Sequence, residues 1–259
     1  PRMTSPVANP ASTANKTVSS ISATRPADET ATTVSEMAGG IQPENLPATD
    51  AATSDEGATK AKLVVLISGS GTNLQALIDA CEDPEYGCEV VAVGADRSNI
   101  KGLERAETAG IPTFVEKVSD YESRADWDAA MTDAVEKYDP DLVVSAGFLK
   151  LLGPEFLETF EGRVINTHNS LLPSFAGIKG PEDALAYGVK FTGATLFFVD
   201  PGVDTGRVIA QCVVPVEAHD TVPELLERIQ VEERKQLVDT VGRMMRDGWT
   251  STGRWVEVG

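Results

Sequence analysis

From about residue 61 onward, short β-rich apolar runs alternate with stretches of helical spacing. Residues 63–67 are an unbroken apolar run of strand length, followed by Gly69-Ser70-Gly71 and then by residues 73–81, where Leu74, Leu77 and Ile78 share one helical face. Residues 89–93 read as a second strand, 101–109 as a helix ended by Gly110, 113–115 as a short third strand, 124–138 as a helix stopped before Pro140, and 142–146 as a buried strand. The second half predicts a strand at 163–166, a helix near 182–187, and two extended runs at 192–199 and 208–214. Pro201-Gly202 lies between those runs and makes a turn, so they are expected to pair as antiparallel neighbours. A long amphipathic helix over 222–245 follows. Thr221 and Glu224 have the spacing of a capping box, Gly248 is the stop, and residues 249–258 are expected to add a final strand. This alternation predicts an α/β fold: a mostly parallel twisted sheet with helices on both faces.

Residues 1–60 break the pattern. They contain no Phe, Trp or Tyr, are dominated by Ala, Thr, Ser and Pro, and show neither a helical nor a strand period. Such a segment cannot bury enough apolar surface to offset its ordering entropy, so a disordered tail over 1–60 is expected before a single domain over 61–259. Arg2, Lys16 and Arg25 in a Ser/Thr/Ala-rich leader suit a transit peptide, but Asp28, Glu29, Glu36 and Glu44 argue against one. Pro1 is not an initiator, so either Met3 is the start or the chain is a fragment.

Charge and cysteine content narrow the setting. The formal net charge is −18, and residues 61–259 carry 33 acidic against 18 basic side chains. Phosphate-rich polymers are repelled by such a surface, which argues against nucleic-acid binding, and the acidity also suits adaptation to high salt. The sequence has no apolar stretch of membrane-spanning length and no apolar secretory core. Cys81, Cys88 and Cys212 form no CxxC and fit free thiols in a reducing compartment. A cytoplasmic protein acting on small molecules, with no metal, as a monomer or homodimer, is the expectation.

The candidate chemistry lies in two places. Gly71, Thr72 and Asn73 connect the first strand to the first helix, where backbone N–H groups and the helix's positive end converge on an anion. The third glycine of a dinucleotide fingerprint would fall at Leu74, so a phosphomonoester is preferred to a nicotinamide cofactor. Farther along, Asn166 and His168 are spaced i and i+2, which in an extended segment puts both side chains on one side. An amide and an imidazole there can stabilise an oxyanion, and Asp200 or Asp204 can supply the carboxylate that fixes the imidazole and takes a proton. Histidine is scarce, with only His168 and His219 in the chain.

These segments resemble a known family. Leu66-Ile-Ser-Gly-Ser-Gly-Thr-Asn-Leu74, Gly102-Leu-Glu-Arg-Ala106, Ala146-Gly-Phe148, Asn166-Thr-His168 with Ser170-Leu-Leu-Pro173, and Gly202-Val-Asp-Thr-Gly206 are similar, in order, to the folate-dependent phosphoribosylglycinamide formyltransferases. The resemblance covers about residues 62–248 and implies a Rossmann-like formyltransferase fold. It also implies transfer of the formyl group of 10-formyltetrahydrofolate, as cosubstrate, to the amine of 5'-phosphoribosylglycinamide in purine synthesis. On the family's pattern Asn166 and His168 stabilise the oxyanion, while Asp204, in preference to Asp200, positions His168 and moves the proton. Gly71, Thr72 and Asn73 hold the phosphate and Glu233 contacts the ribonucleotide. The folate lies against Arg124, Phe148, Leu149, Lys150, Leu151, Leu152, Asn166, Val199 and Asp200.

The chain departs from the family's usual residues at Asn169, Ala176, Lys179, Phe197, Ala95-Asp96 and Lys150, which places the altered segment mainly at residues 169–180. Alternative readings are formyltetrahydrofolate hydrolase, whose usual regulatory domain residues 1–60 are not expected to form, and a formyltransferase acting on charged initiator tRNA, which needs a basic surface. A non-catalytic ligand-binding relative is the alternative from another class.

Overall fold

A computed structural model of the chain describes residues 60–259. The disordered tail expected over residues 1–60 therefore lies, but for Lys60, outside the described residues. In chain order the elements are β1 (Ala61–Ile67), α1 (Thr72–Cys81), β2 (Cys88–Ala95), α2 (Lys101–Thr108), β3 (Thr113–Val115), α3 (Arg124–Glu136), β4 (Leu142–Ser145) and α4 (Pro154–Thr159). They continue with β5 (Val164–His168), α5 (Gly180–Tyr187), β6 (Phe191–Phe198), β7 (Val208–Pro215), α6 (Val222–Asp247), β8 (Trp249–Thr252) and β9 (Trp255–Val258).

Seven strands form one sheet in the order β3-β2-β1-β4-β5-β6-β7. The first five are mutually parallel, and β6 and β7 are added antiparallel, as the turn at Pro201-Gly202 predicts. The central strands β1, from Leu63 on, and β4 are buried on both faces because helices cover both. Alternate residues of β1 divide between two cores: Leu63, Val65 and Ile67 pack with Leu74 and Leu77 of α1 and Leu237 and Val241 of α6. Val64 and Leu66 pack on the opposite face with Trp127 and Met131 of α3 and Phe156 of α4. Strand order reverses between β1 and β4, so the crevice at their carboxyl ends is the topological switch point of the sheet, where ligands of open α/β folds bind.

Three elements differ from the sequence expectation. Helix α4 has only six residues, too few for a periodic signal, and Asp128 of α3 anchors its start. β5 runs past the expected end at Asn166 through His168, because β6 pairs with it as far as His168↔Thr195, so His168 as well as Asn166 belongs to the strand. Residues 249–258 do not extend the main sheet; they fold back at Gly253 (φ 60°) into a separate hairpin, β8 with β9. The capping box at α6 forms as expected, with the Thr221 N–H donating to Glu224 at 2.9 Å. None of the helices among the described residues is long and apolar enough to cross a membrane.

Candidate active site

Three loops meet at the switch point, leaving the carboxyl ends of β1, β4 and β5. The first two are stitched together: the Ser68 N–H donates to the Gly147 carbonyl at 3.2 Å, and the Leu149 N–H to the Ser68 hydroxyl at 2.8 Å. Gly71 is the N-cap of α1 at φ 68°, and a Cβ there would lie 2.6 Å from the Cα of Gly102, so the loop's left-handed turn packs directly on the start of α2. Arg105 braces the same loop by donating to the Ser70 carbonyl and to Gln75, both at 2.9 Å. No side chain caps α1 and its first turn carries no acid, which leaves the N–H groups around Thr72 and Asn73 available to an anion.

Asn166 and His168 project from the same face of β5, as two-residue spacing in a strand requires. His168 is almost fully enclosed. Its Nε2 lies 2.9 Å from the Phe175 carbonyl, and its Nδ1 lies 3.8 Å from Oδ2 of Asp204. A carbonyl only accepts, so Nε2 carries a proton in this arrangement and Nδ1 is the nitrogen left to face the carboxylate. Asp204 has φ 53°, and its Oδ2 also accepts the Gly177 N–H at 2.7 Å. Asp200 is employed differently: its Oδ1 accepts from the Gly202 N–H at 3.1 Å and the Thr205 hydroxyl at 2.6 Å, closing the turn that presents Asp204.

The altered segment, residues 169–180, is tightly held. Thr195 links the Ser170 carbonyl to the Leu172 N–H at 2.7 and 3.0 Å, and Gln211 donates to the Leu172 carbonyl at 2.9 Å. With Asn169, Ala176 and Lys179 in place it still brings the Phe175 carbonyl to His168 and the Gly177 N–H to Asp204.

On the other face of β5, Thr167 meets Glu233 of α6, which is only 4% exposed. Burial pushes the Glu233 carboxyl above its ordinary range, while hydrogen bonding from Thr167 and Asn73 and the charges of Arg234 and His168 pull it back in part. Asn73 is itself buried, with an amide oxygen that has no partner among the described residues. Glu233 thus joins α6, the start of α1 and the strand that carries His168.

Of the residues expected at a folate, Phe148 is buried and stacks on Trp127, with centroids 6.3 Å apart and planes 10° from parallel. Leu149 and Leu151 are each 64% exposed on the crevice loop, Leu152 is half-buried, and Val199 is tied to β5 through the Val164 carbonyl at 2.8 Å. Arg124 donates to the Leu151 carbonyl and lies 4.3 Å over the Trp127 ring, so in this arrangement its guanidinium braces the loop. Lys150 lies 3.6 Å from Asp96, which Arg97 grips through two N–H groups at 3.1 and 2.8 Å. Burial alone would raise the Asp96 carboxyl, but Arg97, the Ser68 hydroxyl and Lys150 hold it below the usual range.

Some partners had no signal in the sequence. The Phe175 carbonyl and the Gly177 N–H are main-chain groups, invisible to residue type. Asp128, buried on α3, accepts the N–H groups of Gly153, Glu155 and Phe156 at 2.6, 3.0 and 3.4 Å and so fixes the far end of the 148–152 loop. Gly153 is required there because a Cβ would overlap the Asp128 carboxylate.

The chain as a whole is similar to known proteins. Residues 61–241 match the family model described as Formyl transferase. The chain is 49% identical over 199 residues to phosphoribosylglycinamide formyltransferase of Mycobacterium tuberculosis, covering 77% of this chain and 92% of that protein. It is 41% identical over 171 residues to phosphoribosylglycinamide formyltransferase of Escherichia coli, covering 66% and 81%. Its structure superposes on glycinamide ribonucleotide transformylase 1 from Symbiobacterium toebii with a TM-score of 0.75 at 39% identity, over 77% of this chain and 94% of that one. The chain therefore belongs to the formyl transferase family and, within it, to the phosphoribosylglycinamide formyltransferases.

Proposed function

We propose that this protein transfers the formyl group of 10-formyltetrahydrofolate to the amine of 5'-phosphoribosylglycinamide, giving formylglycinamide ribonucleotide and tetrahydrofolate in purine biosynthesis. The observation that carries the reading is the meeting of three features at one switch point. The Asn166, His168 and Asp204 trio lies at the end of β5, the uncapped α1 loop suits a phosphate, and the 148–152 loop offers an apolar wall. Its relatives by sequence and structure, reported above, support the transformylase over the hydrolase.

In this mechanism Gly71, Thr72 and Asn73 hold the phosphate through main-chain N–H groups, and Glu233 orients the ribonucleotide. Phe148, Leu149, Leu151, Leu152 and Val199 enclose the pterin, with backbone groups at its edge, while Arg124 and Lys150 flank it and Asp200 shapes the adjoining turn. The amine nitrogen attacks the formyl carbon and the C=O electron pair moves onto oxygen. The Asn166 amide and a protonated His168, offering its Nδ1–H, stabilise that oxyanion, and Asp204 stabilises the imidazolium. Asp204 takes the proton lost by the amine, directly or through one water. Collapse re-forms the C=O and breaks the bond to N10 of the folate, which leaves with the electron pair and takes up the proton held by Asp204, directly or through the same water.

We assign this activity to a domain spanning residues 61–259, acting in the cytoplasm on small molecules; every proposed site residue lies within it. The test is folate-dependent transfer to the glycinamide ribonucleotide by the full chain, run from low to molar salt beside His168→Ala. Transfer that disappears in the variant is expected. Failure of the intact protein at every salt concentration overturns the reading.

A further inference from the structure

The turn that presents Asp204 is held from two sides, and only one hold is internal to it. Asp200 closes it from within through Gly202 and Thr205. From outside, Arg254 donates through Nη2 to the carbonyls of Thr205 and Gly206, each at 2.9 Å. Arg254 sits at the bend of the β8–β9 hairpin, beyond residue 241 where the family match ends. The hairpin is a fixed platform: Trp249 packs on Phe198 with ring centroids 6.0 Å apart, and Arg243 of α6 donates to the carbonyls of Val258 and Gly259 at 3.0 and 3.3 Å. Val256 and Val258 rest against the main core.

The turn has reason to need this support. Asp204 adopts φ 53°, a left-handed conformation that a residue with a side chain adopts at a cost, and its 3.8 Å approach to Nδ1 of His168 is longer than a hydrogen bond. The carboxylate's position against the imidazole is therefore set by the backbone that carries it, with the Gly177 N–H as its own direct anchor. Directly after it, the carbonyls of Thr205 and Gly206 point outward to the guanidinium. One guanidinium nitrogen, its two N–H groups fixed in the guanidinium plane, bridges two successive carbonyls and restrains both peptide planes together, whereas a lysine ammonium would reach them from a freely rotating head without that fixed plane.

We propose that Arg254 is a positioning residue for formyl transfer: through the Thr205 and Gly206 carbonyls, the carboxyl-terminal hairpin sets the placement of Asp204 against His168. Arg254 touches no substrate and acts through the turn. The catalytic part of this inference rests on the function proposed above, whereas the restraint of the turn does not. Arg254 is an exposed residue and belongs to none of the hydrophobic cores, so its removal leaves them intact and Arg254→Ala is expected to unfold at the temperature of the parent protein.

The test has two arms on the full chain. In transfer assays Arg254→Ala is expected to lose on the order of tenfold in kcat, with KM for the phosphorylated glycinamide substrate nearly unchanged because the α1 loop is untouched. Arg254→Lys should recover part of that loss, and millimolar guanidinium ion should partly rescue the alanine variant. In hydrogen exchange on the unliganded protein, the amides of residues 202–206 should exchange faster in Arg254→Ala while those of β1, β4 and β5 keep their rates. Full kcat in an active alanine variant, a loss matched by a general fall in unfolding temperature, or unchanged exchange at 202–206 would each overturn the inference. An intact protein with no transfer activity removes the proposed function instead, and the exchange arm still decides whether Arg254 orders the turn.

Discussion

Replacing Asp128 by Ala should destabilise the protein and loosen the 148–152 loop, the side of the crevice proposed for the folate, together. The carboxylate is buried, has no salt-bridge partner among the described residues, and accepts three main-chain N–H groups, from Gly153, Glu155 and Phe156. Losing a helix cap costs about 1 kcal/mol, and a buried amide left without an acceptor costs about 1–3 kcal/mol more. Glu155 is exposed and Gly153 half-exposed, so water can replace the acceptor for those two, and the full penalty falls on the completely buried Phe156. The loss is then about 3 kcal/mol, which for a fold of this size lowers Tm by roughly 6–12 °C. Asp128→Asn should lose nearly as much, because its NH₂ must confront one of the amides it replaces an acceptor for. Thermal unfolding of the full chain measures the first effect. Transfer kinetics measure the second: KM for the folate should rise several-fold while KM for the ribonucleotide stays near its parent value. A Tm within about 2 °C of the parent in both variants would refute the reasoning.

Asp204→Asn should lower kcat by about 10²- to 10⁴-fold and leave substrate dissociation constants nearly unchanged, since the amide keeps the shape but cannot take a proton; retained turnover excludes the proton-handling role. Asn73→Leu keeps the main-chain N–H but removes the side chain that hydrogen-bonds Glu233, and should weaken the phosphorylated substrate on the order of tenfold without comparable effect on the folate, as read from the two KM values. Because Glu233 is held above its ordinary carboxyl range, the native state binds more protons there than the unfolded chain does. Its contribution to stability is fully present below the ordinary carboxylate range and is lost as pH rises through the raised value. Glu233→Gln should therefore abolish that fall in urea unfolding run across pH, and parallel curves for parent and variant would count against it.

Much of the architecture was legible in the chain because it rests on local signals. Four short β-rich runs separated by three helical segments can bury both faces only in a parallel sheet, and Pro201-Gly202 marks the turn that pairs β6 with β7 antiparallel. Helix α4 was not legible, since six residues carry no period and its start depends on Asp128, 26 residues before Pro154. The hairpin at residues 249–258 read as one strand because nothing in its alternation says which neighbour a strand will choose.

The candidate site divides in the same way. Glycines before a helix, an amide and an imidazole two apart in a strand, and an acidic turn are sequence-local, so Gly71, Asn166, His168 and the pair Asp200 and Asp204 could be named from residue type and spacing, with family resemblance choosing Asp204. Only the tertiary structure decided how these groups are held. Asp200 is spent on its own turn, Asp204 is aimed by the Gly177 N–H, and His168 is fixed by the carbonyl of Phe175. Glu233 reaches Thr167 and Asn73 through the body of the protein, and Arg254 reaches the Asp204 turn from a hairpin about 50 residues on. The physical reason is that residue type and spacing encode which chemistry a side chain can offer, whereas main-chain donors and acceptors are the same at nearly every position and acquire a role only when folding brings one of them within about 3 Å of a particular side chain.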